Sequence, residues 1–330
     1  MDAAASAEPT IHTSFAPREF GFGLTSAQQH IGRRAAQEDR FFVCPRVTEA
    51  DPRSGFFCVL DGTVGDFASD TVQHLVLPEA LATDAWKKYA AESAAAAPGT
   101  PVSDAQLETL RQVAHDGYKN ADDELIRRCG AGMHADRRLE YASTTVVTGM
   151  LVDGVLTMAS LGDSMGVIGV AEGDGHVAGW ALTQSHKPDQ PNERARIEAS
   201  GGSVEYLHNS DYKPFIRGGD FTERKRAGGK PMQLQYSRAF GGRGLKPYGL
   251  SNEPTVQQLR LDPSHRVLII ASDGLWDVCS EQEAVNVAMY AHEAGTDAAQ
   301  ELVDFALEEQ ARRGSMADNV TVVCVFFKGF

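Results

Sequence analysis

Acidic residues stand where apolar runs typical of buried strands stop or start. They lie in the segments Gln37-Glu38-Asp39, Leu60-Asp61-Gly62, Gly162-Asp163-Ser164, Ser272-Asp273-Gly274 and Ala317-Asp318-Asn319. Strand ends are rigid supports, so these side chains can point from packed sheets into one cleft. Taken singly, each segment also fits an ordinary turn, since Asp-Gly and Gly-Asp-Ser are common turn sequences.

Clustered carboxylates repel one another strongly in a low-dielectric cleft. Such a cluster is tolerable only if cations neutralise it. Oxygen ligands without His or Cys select hard ions such as Mg²⁺ or Mn²⁺. If these segments meet, the sequence therefore predicts a site for divalent cations.

The order of predicted elements favours an α+β fold. Strands are expected at 143–152, 155–161, 165–170 and 177–182, with turn signals between them that indicate an antiparallel meander. Helical spacing is predicted for residues 66–97, 103–129, 188–200, 281–293 and 297–313. Pro78 should interrupt the first of these helices. Strand runs mixed with paired helices fit helices packed on antiparallel sheets better than alternating β-α units.

The chain of 330 residues carries 31 basic and 45 acidic side chains, a net charge of −14. This charge argues against general attraction to nucleic-acid phosphates, so a phosphate-bearing partner must meet a local positive site. No apolar run reaches the roughly 18 residues that span a bilayer. Residues 1–20 lack periodicity and are expected to form an extended arm or a loose first strand.

The five cysteines are an odd number without paired metal-ligand spacing. We interpret them as reduced thiols of a reducing compartment, which predicts a cytoplasmic protein. Arg224-Lys225-Arg226 is a weak signal for nuclear import, so the nucleus is the alternative compartment.

The same segments, in order, resemble the metal-dependent protein phosphatases of the 2C type. The resemblance runs from about Gly21 to Phe327 and rests on the following motifs: Gly32-Arg33-Arg34-Ala35-Ala36-Gln37-Glu38-Asp39, Phe56-Phe57-Cys58-Val59-Leu60-Asp61-Gly62, Ser143-Thr144-Thr145, Leu161-Gly162-Asp163-Ser164, His186-Lys187-Pro188, Ser237-Arg238-Ala239-Phe240-Gly241, Ser272-Asp273-Gly274-Leu275-Trp276-Asp277 and Asp318-Asn319-Val320-Thr321. It implies a four-layer α-β-β-α sandwich, in which two antiparallel sheets are flanked by helix pairs. Residues 21–330 would then be a single catalytic domain with a flap-like insertion at about 203–250.

The resemblance also implies a centre of two Mn²⁺ or Mg²⁺ ions. Asp61 would bridge the ions, Glu38 and the Gly62 carbonyl would complete one site, and Asp273 and Asp318 would complete the other. A metal-activated water would hydrolyse phosphoserine and phosphothreonine in proteins, without a covalent phosphoenzyme. Phosphorylated proteins are the expected partners, and we expect a monomer.

Further residues receive roles from the resemblance. Arg34 would bind phosphate, a task that suits the guanidinium fork, and adjacent Arg33 is the alternative. Asp39 and Asp277 would hold metal-bound waters or support the ligands. Asp163 would contact a weaker third ion or, alternatively, cap a turn. For His186 a structural or supporting role is favoured over catalysis, because the acidic residue usual before it is replaced by Ser185.

The sequence departs from the family at Asp61-Gly62-Thr63-Val64-Gly65, where Asp-Gly-His-Gly-Gly is usual. The missing histidine is thought to protonate the leaving alkoxide, and general-acid catalysis is typically worth about 10²–10⁴-fold. Thr63 at this catalytic position predicts a slower enzyme, with the larger loss on phosphoserine peptides. The alternative is a catalytically weak or inactive pseudophosphatase that binds phosphoproteins or other partners. Gly242, where an acidic residue often follows Gly241, is a second departure.

Residues 211–230 are locally basic, with six basic and three acidic side chains. Arg224, Lys225 and Arg226 are therefore candidates for a substrate-docking flap. The alternative is a solvated loop, since charge runs usually face water.

Overall fold

Strands form the centre of the molecule. The computed structural model describes residues 14–97, 99–173, 175–206, 213–314 and 318–330. The strands in these ranges are β1 (Ser14–Phe20), β2 (Gly23–His30), β3 (Arg40–Cys44), β4 (Gly55–Leu60), β5 (Gly62–Thr63), β6 (Ser143–Thr144), β7 (Val146–Val152), β8 (Val155–Leu161), β9 (Met165–Ala171), β10 (Val177–Ala181), β11 (Ser203–Tyr206), β12 (Pro214–Arg217), β13 (Gln233–Leu234), β14 (Phe240–Gly241), β15 (Thr255–Arg260), β16 (His265–Ala271) and β17 (Val320–Phe327).

Two antiparallel sheets contain most of these strands. The order is β1-β2-β17-β16-β9-β10 in the six-stranded sheet and β15-β8-β7-β4-β3 in the five-stranded sheet. Strands β7 and β8 pair in register up to Val152 opposite Val155. Asp153 and Gly154 between them have φ of 48° and 73°, as a two-residue hairpin turn of type I′ requires. The predicted antiparallel pairing is confirmed for the hairpins β7-β8 and β9-β10. The single continuous meander is wrong, because β8 and β9 lie in different sheets.

Helices cover the outer faces of both sheets. They are α1 (Phe67–Val72), α2 (Val76–Ala82), α3 (Asp84–Ala95), α4 (Asp104–Gly132), α5 (Pro191–Ala199), α6 (Phe221–Arg226), α7 (Asp273–Trp276), α8 (Glu281–Ala294) and α9 (Ala298–Arg312). Apolar side chains of α1–α4 pack on the five-stranded sheet, and those of α8 and α9 pack on the six-stranded sheet. A third cluster, which includes Phe57 and Leu268, fills the space between the sheets. The four-layer α-β-β-α sandwich is confirmed.

The helix predicted over residues 66–97 is divided into α1, α2 and α3. Pro78 is the third residue of α2, and the chain breaks before it, between Val72 and Val76. In the first turn its missing N–H costs no intrahelical hydrogen bond. Thr83 starts α3, because its hydroxyl accepts a hydrogen bond from the Trp86 N–H at 3.0 Å.

Two small sheets lie outside the sandwich, with strand orders β11-β12-β13 and β14-β6-β5. The first, together with α6, occupies much of the expected insertion at 203–250. Residues 14–20 of the expected arm form the edge strand β1, whereas residues 1–13 lie outside the described part. Among the described residues, no helix combines the length and apolar character needed to cross a bilayer.

Candidate metal centre

Strand ends from both large sheets meet around one cleft with a volume of about 490 Å³. Asp61 directly follows β4, Asp163 lies two residues after β8, and Asp273 lies two residues after β16. The predicted site residues that line the cleft are Arg34, Glu38, Asp61, Gly62, Thr63, Asp163, Asp273, Asp277 and Asp318. The antiparallel pairing brings segments far apart in sequence to this one edge.

Three buried or half-buried carboxylates form the centre of the cleft. One oxygen from each of Asp61, Asp163 and Asp273 lies within 4.8 Å of the others. Burial and the nearby charge of Asp39 hold the pKa of Asp61 well above its usual range. Burial and the charge of Asp163 do the same to the pKa of Asp273. Ionised together, these groups are unfavourable unless a cation or a proton neutralises them.

The donor set fits divalent cations. Oδ1 of Asp163 is buried and has no hydrogen-bond partner among the described residues. The ligand atoms offered are carboxylate oxygens, which suit Mg²⁺ or Mn²⁺. An unpartnered buried acceptor beside two repelling carboxylates is the arrangement that a bound cation would complete.

Asn319 fixes the loop that carries Glu38. Its Oδ1 accepts a hydrogen bond from the Glu38 N–H at 2.8 Å, while its Nδ2 donates to the carbonyls of Ile31 at 2.9 Å and Ala36 at 3.1 Å. The Glu38 carboxylate itself accepts from the Gly65 N–H at 3.2 Å. Burial raises the pKa of Glu38, although this hydrogen bond opposes the shift.

Asp39 is held by two hydroxyl donors, one just after β16 and one in β17. Its Oδ2 accepts hydrogen bonds from the hydroxyls of Ser272 and Thr321, both at 2.8 Å. Burial raises the pKa of Asp39 to about 6, although these hydrogen bonds favour the charged form. Asp39 thus links the loop before β3 to the segments that carry Asp273 and Asp318.

Gly62 stands where a side chain would collide with the chain that carries Glu38. A Cβ at this position would lie 2.4 Å from the Glu38 carbonyl oxygen and 2.8 Å from the Ser69 hydroxyl. The close approach brings the backbone of β5 to the edge of the acidic centre.

Basic side chains of the chain already pair with cleft carboxylates. Nη2 of Arg34 lies 2.5 Å from Asp318 Oδ2, in a largely exposed pair. Nζ of Lys187 lies 2.5 Å from Asp163 Oδ2, which is buried. Arg33 is exposed and is not among the described residues that line the cleft.

A model of the family described as protein phosphatase 2C matches residues 24–314. The chain belongs to the protein phosphatase 2C family. Two relatives from Arabidopsis thaliana are probable protein phosphatase 2C 71, 32% identical over 94% of this chain and 56% of that protein, and probable protein phosphatase 2C 2, 31% identical over 89% and 64%. The chain therefore spans less than two thirds of either relative.

A solved structure agrees closely with the fold of this chain. The crystal structure of serine-threonine phosphatase 2C from Toxoplasma gondii is 47% identical and superposes with a TM-score of 0.92. The match covers 98% of this chain and 100% of that one. At this identity the likeness extends to the sequence of the whole domain and not to the fold alone.

Thr63, which is predicted to stand where the family usually has a histidine, forms a pair of hydroxyls with Tyr236. Thr63 Oγ1 lies 2.8 Å from the hydroxyl of Tyr236, which also lies 3.4 Å from Ser143 Oγ. Tyr236 received no role from the sequence, because its contact with Thr63 joins residues 173 positions apart.

His186, for which the sequence predicts a structural or supporting role, is buried next to the turn that carries Asp163. Its Nδ1 accepts a hydrogen bond from the Gly162 N–H at 3.1 Å, so Nε2 carries the proton and donates to Thr255 Oγ1 at 2.8 Å. Burial, and then the charge of Arg238, lower the pKa of His186 to about 4. It supports the turn that precedes Asp163.

The proposed docking residues lie on α6, away from the cleft wall. Arg224 donates a hydrogen bond to the hydroxyl of Tyr141, and its guanidinium lies near Asp220. Lys225 and Arg226 are exposed. Of the basic residues at 211–230, Lys213 lines the described cleft, and its Nζ lies 3.2 Å from Asp277 Oδ2.

The backbone conformation accounts for Gly242, the second predicted departure from the family sequence. Gly241 and Gly242 have φ of 71° and 60°, a region that favours glycine. The Gly241 N–H donates to Asp122 Oδ1 at 2.7 Å, and Lys246 pairs with the other oxygen of Asp122. A buried carboxylate from α4 therefore holds this turn.

Proposed function

We propose that this chain hydrolyses phosphoserine and phosphothreonine in proteins, with divalent cations held by the cleft carboxylates. The observation that carries the proposal is the convergence of Asp61, Asp163 and Asp273 within 4.8 Å, in a cleft that also contains Arg34. Membership in the protein phosphatase 2C family supports the same reaction.

The proposed ligand assignment is the one that the resemblance to the family implies. Glu38, Asp61 and the Gly62 carbonyl would hold one ion, and Asp61, Asp273 and Asp318 would hold a second. Bound Mn²⁺ or Mg²⁺ would supply Lewis-acid activation of water and neutralise charge on the phosphoryl group. For a third ion at Asp163, Lys187 is a competitor, because its ammonium already pairs with one carboxylate oxygen.

Arg34 would bind the substrate phosphate. A guanidinium donates two parallel hydrogen bonds to phosphate oxygens, so it fixes the orientation of the phosphoryl group as well as its position. Lys213, which lines the same cleft with Phe215 and Gln233, would add positive charge to a cleft whose other charges are mostly acidic.

The deciding experiment is Mn²⁺-dependent release of phosphate from a phosphothreonine peptide by the wild-type chain and by Asp273→Ala. We expect release by the wild type and a loss of at least about 10²-fold in the variant, because removal of a ligand disrupts the cation site. Asp116→Ala, an aspartate on α4 outside the cleft, is the matched control. Equal residual release by the wild type and Asp273→Ala would contradict the proposal.

The second candidate is a pseudophosphatase that binds phosphoproteins without turnover. The observation in its favour is Thr63, whose hydroxyl has no suitable pKa for a general acid at neutral pH. Against it, a pure binding module has no need for so many mutually repelling carboxylates. Tight binding of a phosphothreonine peptide to the Mn²⁺-loaded chain without phosphate release would favour this candidate.

A further inference from the structure

The hydroxyl of Tyr236 meets Thr63 at the wall of the cleft. The two oxygens are 2.8 Å apart, and both residues line the cleft. Tyr236 is 5% exposed and Ser143 is fully buried, whereas Thr63 is half-buried. Of these three hydroxyls, that of Thr63 is therefore the one that a bound substrate can best reach.

A small sheet fixes this group of hydroxyls. Thr63 in β5 is directly opposite Ser143 in β6, and Ser143 is also opposite Gly241 in β14. The segment between β13 and β14 brings Tyr236 against both hydroxyls. Because Thr63 is β-branched, its side chain has few rotamers open to it in a strand.

The direction of the hydrogen bond follows from the chemistry of the two hydroxyls. A phenol is more acidic than an aliphatic alcohol and is the better donor, and it has one proton to give. The contact with Thr63 is shorter than the 3.4 Å contact with Ser143, so the Tyr236 hydroxyl donates its hydrogen bond to Thr63 Oγ1. Thr63 then accepts this hydrogen bond and keeps its own proton free to point into the cleft.

Tyr236 remains a donor throughout the neutral range. Burial and the charge of Asp61 raise the pKa of Tyr236 above its ordinary value. The phenol therefore stays protonated beside the acidic centre.

We propose that Tyr236 is a positioning residue that orients the Thr63 hydroxyl, so that Thr63 donates a hydrogen bond to the leaving oxygen of a phosphoserine or phosphothreonine substrate. This inference rests on the proposed phosphatase function. The step is one of hydrogen bonding: negative charge that develops on the leaving oxygen is stabilised, no bond to Thr63 or Tyr236 is made or broken, and the alkoxide takes its proton from solvent. The pair partly replaces the histidine that is usual at this position.

The leaving group distinguishes this role from a structural one. An aryl phosphate releases a stabilised phenolate that needs little help, whereas a phosphoserine peptide releases an alkoxide. Preorganised donors at sites of developing charge are worth up to about 10²–10³-fold in kcat. A partly exposed donor should be at the low end, so we expect Tyr236→Phe and Thr63→Val to lower kcat on a phosphoserine peptide about tenfold or more. Both variants should change kcat on p-nitrophenyl phosphate by less than about threefold.

The double variant tests whether the two residues act as one unit. Residues in one hydrogen-bond network give non-additive effects. Tyr236→Phe combined with Thr63→Val should therefore lose no more than Thr63→Val alone. Thr63→Ser, which keeps the hydroxyl, should retain most of the peptide activity. Tyr89→Phe, which removes the hydroxyl of another buried tyrosine that bonds Asp153, is the matched control and should leave the ratio of the two rates unchanged.

Three results would overturn the inference. Equal losses on both substrates in Tyr236→Phe would mean that the hydroxyl serves only the structure. Losses that multiply in the double variant would mean that the two hydroxyls act independently. If the wild type and Asp273→Ala released phosphate equally from both substrates, the proposed function would fail and this inference with it, a result visible before any Tyr236 variant is made.

Discussion

Arg34 and Asp318 form an ion pair at the mouth of the cleft, with Nη2 and Oδ2 2.5 Å apart. The pair joins Arg34, which is proposed to bind the substrate phosphate, to Asp318, which is proposed to bind a metal ion. The two side chains are 48% and 37% exposed, and exposed pairs contribute only about 0–1 kcal/mol to stability. The guanidinium can therefore exchange this carboxylate for a phosphate at small cost, especially once a cation occupies Asp318.

Replacement of Arg34 should affect all phosphate monoesters alike. Charged hydrogen bonds are worth about 1.5–3 kcal/mol, so we expect Arg34→Ala to lower kcat/KM about 10- to 100-fold. The loss should be the same on a phosphothreonine peptide and on an aryl phosphate, because the phosphoryl oxygens are common to both. Steady-state kinetics at saturating Mn²⁺ measure the loss of kcat/KM on each substrate.

Arg33→Ala is the natural control, since Arg33 is the exposed neighbour of the same residue type. Its kcat/KM should stay within about twofold of wild type, as for most surface substitutions. A larger loss in Arg33→Ala than in Arg34→Ala would show that the neighbouring arginine binds the phosphate.

Lys187 is predicted to act as a built-in counterion of the metal centre. Its side chain is 35% exposed, and that of its partner Asp163 is 6% exposed. Lys187→Met leaves a buried carboxylate unpaired, which should cost about 3 kcal/mol in the metal-free protein, the low end of the range for buried pairs. Mn²⁺ should restore more stability to this variant than to wild type, because a bound ion then neutralises Asp163.

Thermal unfolding with and without Mn²⁺ measures the difference, and Lys213→Met supplies the comparison. Lys213 also pairs with a cleft carboxylate, but its partner Asp277 is 57% exposed. Its loss should change stability by less than about 1 kcal/mol. If Mn²⁺ raised the Tm of Lys187→Met no more than that of wild type, the counterion role would be wrong.

The positions of the acidic centre could be predicted because each carboxylate is next to an apolar run in sequence. Asp61 after Phe56–Leu60 and Asp273 after Val267–Ala271 need only the assumption that strand ends meet at one edge. The order of strands and paired helices predicted an α+β fold, whereas the four layers were implied by the resemblance to the family. Local patterns of this kind can be recognised in a single sequence.

Contacts that depend on packing could not be predicted in this way. Tyr236 reaches Thr63 only because the segment between β13 and β14 passes the strand pair β5-β6, and nothing local marks that path. Asn319 stands in a quoted motif, but its three hydrogen bonds to the 31–38 loop depend on the meeting of two chain segments. The division of the 66–97 helix was expected at Pro78, yet the chain broke earlier, where proline can open a new helix.

His186 should make the folded state sensitive to acid. Burial lowers its pKa to about 4, against about 6.5 in an unfolded chain, so the unfolded state binds the proton first as pH falls. Its contribution to stability is complete above pH 6.5 and is lost between pH 6.5 and 4, by about 3 kcal/mol in all. The raised pKa values of Asp39, Asp61 and Asp273 have the opposite effect on the metal-free protein. The His186 loss is therefore measured as the difference between the wild type and His186→Asn in denaturant unfolding at several pH values.

His186→Asn should flatten the pH profile. An Asn Oδ1 can replace Nδ1 as acceptor of the Gly162 N–H, and it does not titrate in this range. The variant loses the hydrogen bond to Thr255 and should be less stable by about 1 kcal/mol at pH 7. His134→Asn, at an exposed position, should keep the wild-type profile. An equally steep acid loss in His186→Asn would assign the titration to other groups.

Val64 carries backbone strain beside the proposed catalytic position. Its φ is 65°, in the left-handed region that β-branched residues rarely adopt, and the residue is 37% exposed. The left-handed conformation costs about 1–2 kcal/mol in an L-residue. Glycine removes this cost, but its greater freedom in the unfolded chain destabilises the folded state by about 0.5–1 kcal/mol. Val64→Gly should therefore stabilise the protein by about 0.5–1 kcal/mol, measured by denaturant unfolding.

Val64→Ala separates backbone strain from the side chain itself. Alanine keeps a Cβ and therefore most of the left-handed penalty, so it should gain clearly less stability than glycine. Equal gains in both variants would place the cost in the branched side chain. The Val64→Gly substitution should also change catalysis. Because Val64 directly follows Thr63, Val64→Gly should loosen the loop that carries the Thr63 hydroxyl. We expect Val64→Gly to lower kcat on a phosphoserine peptide more than on an aryl phosphate, even as the Tm rises.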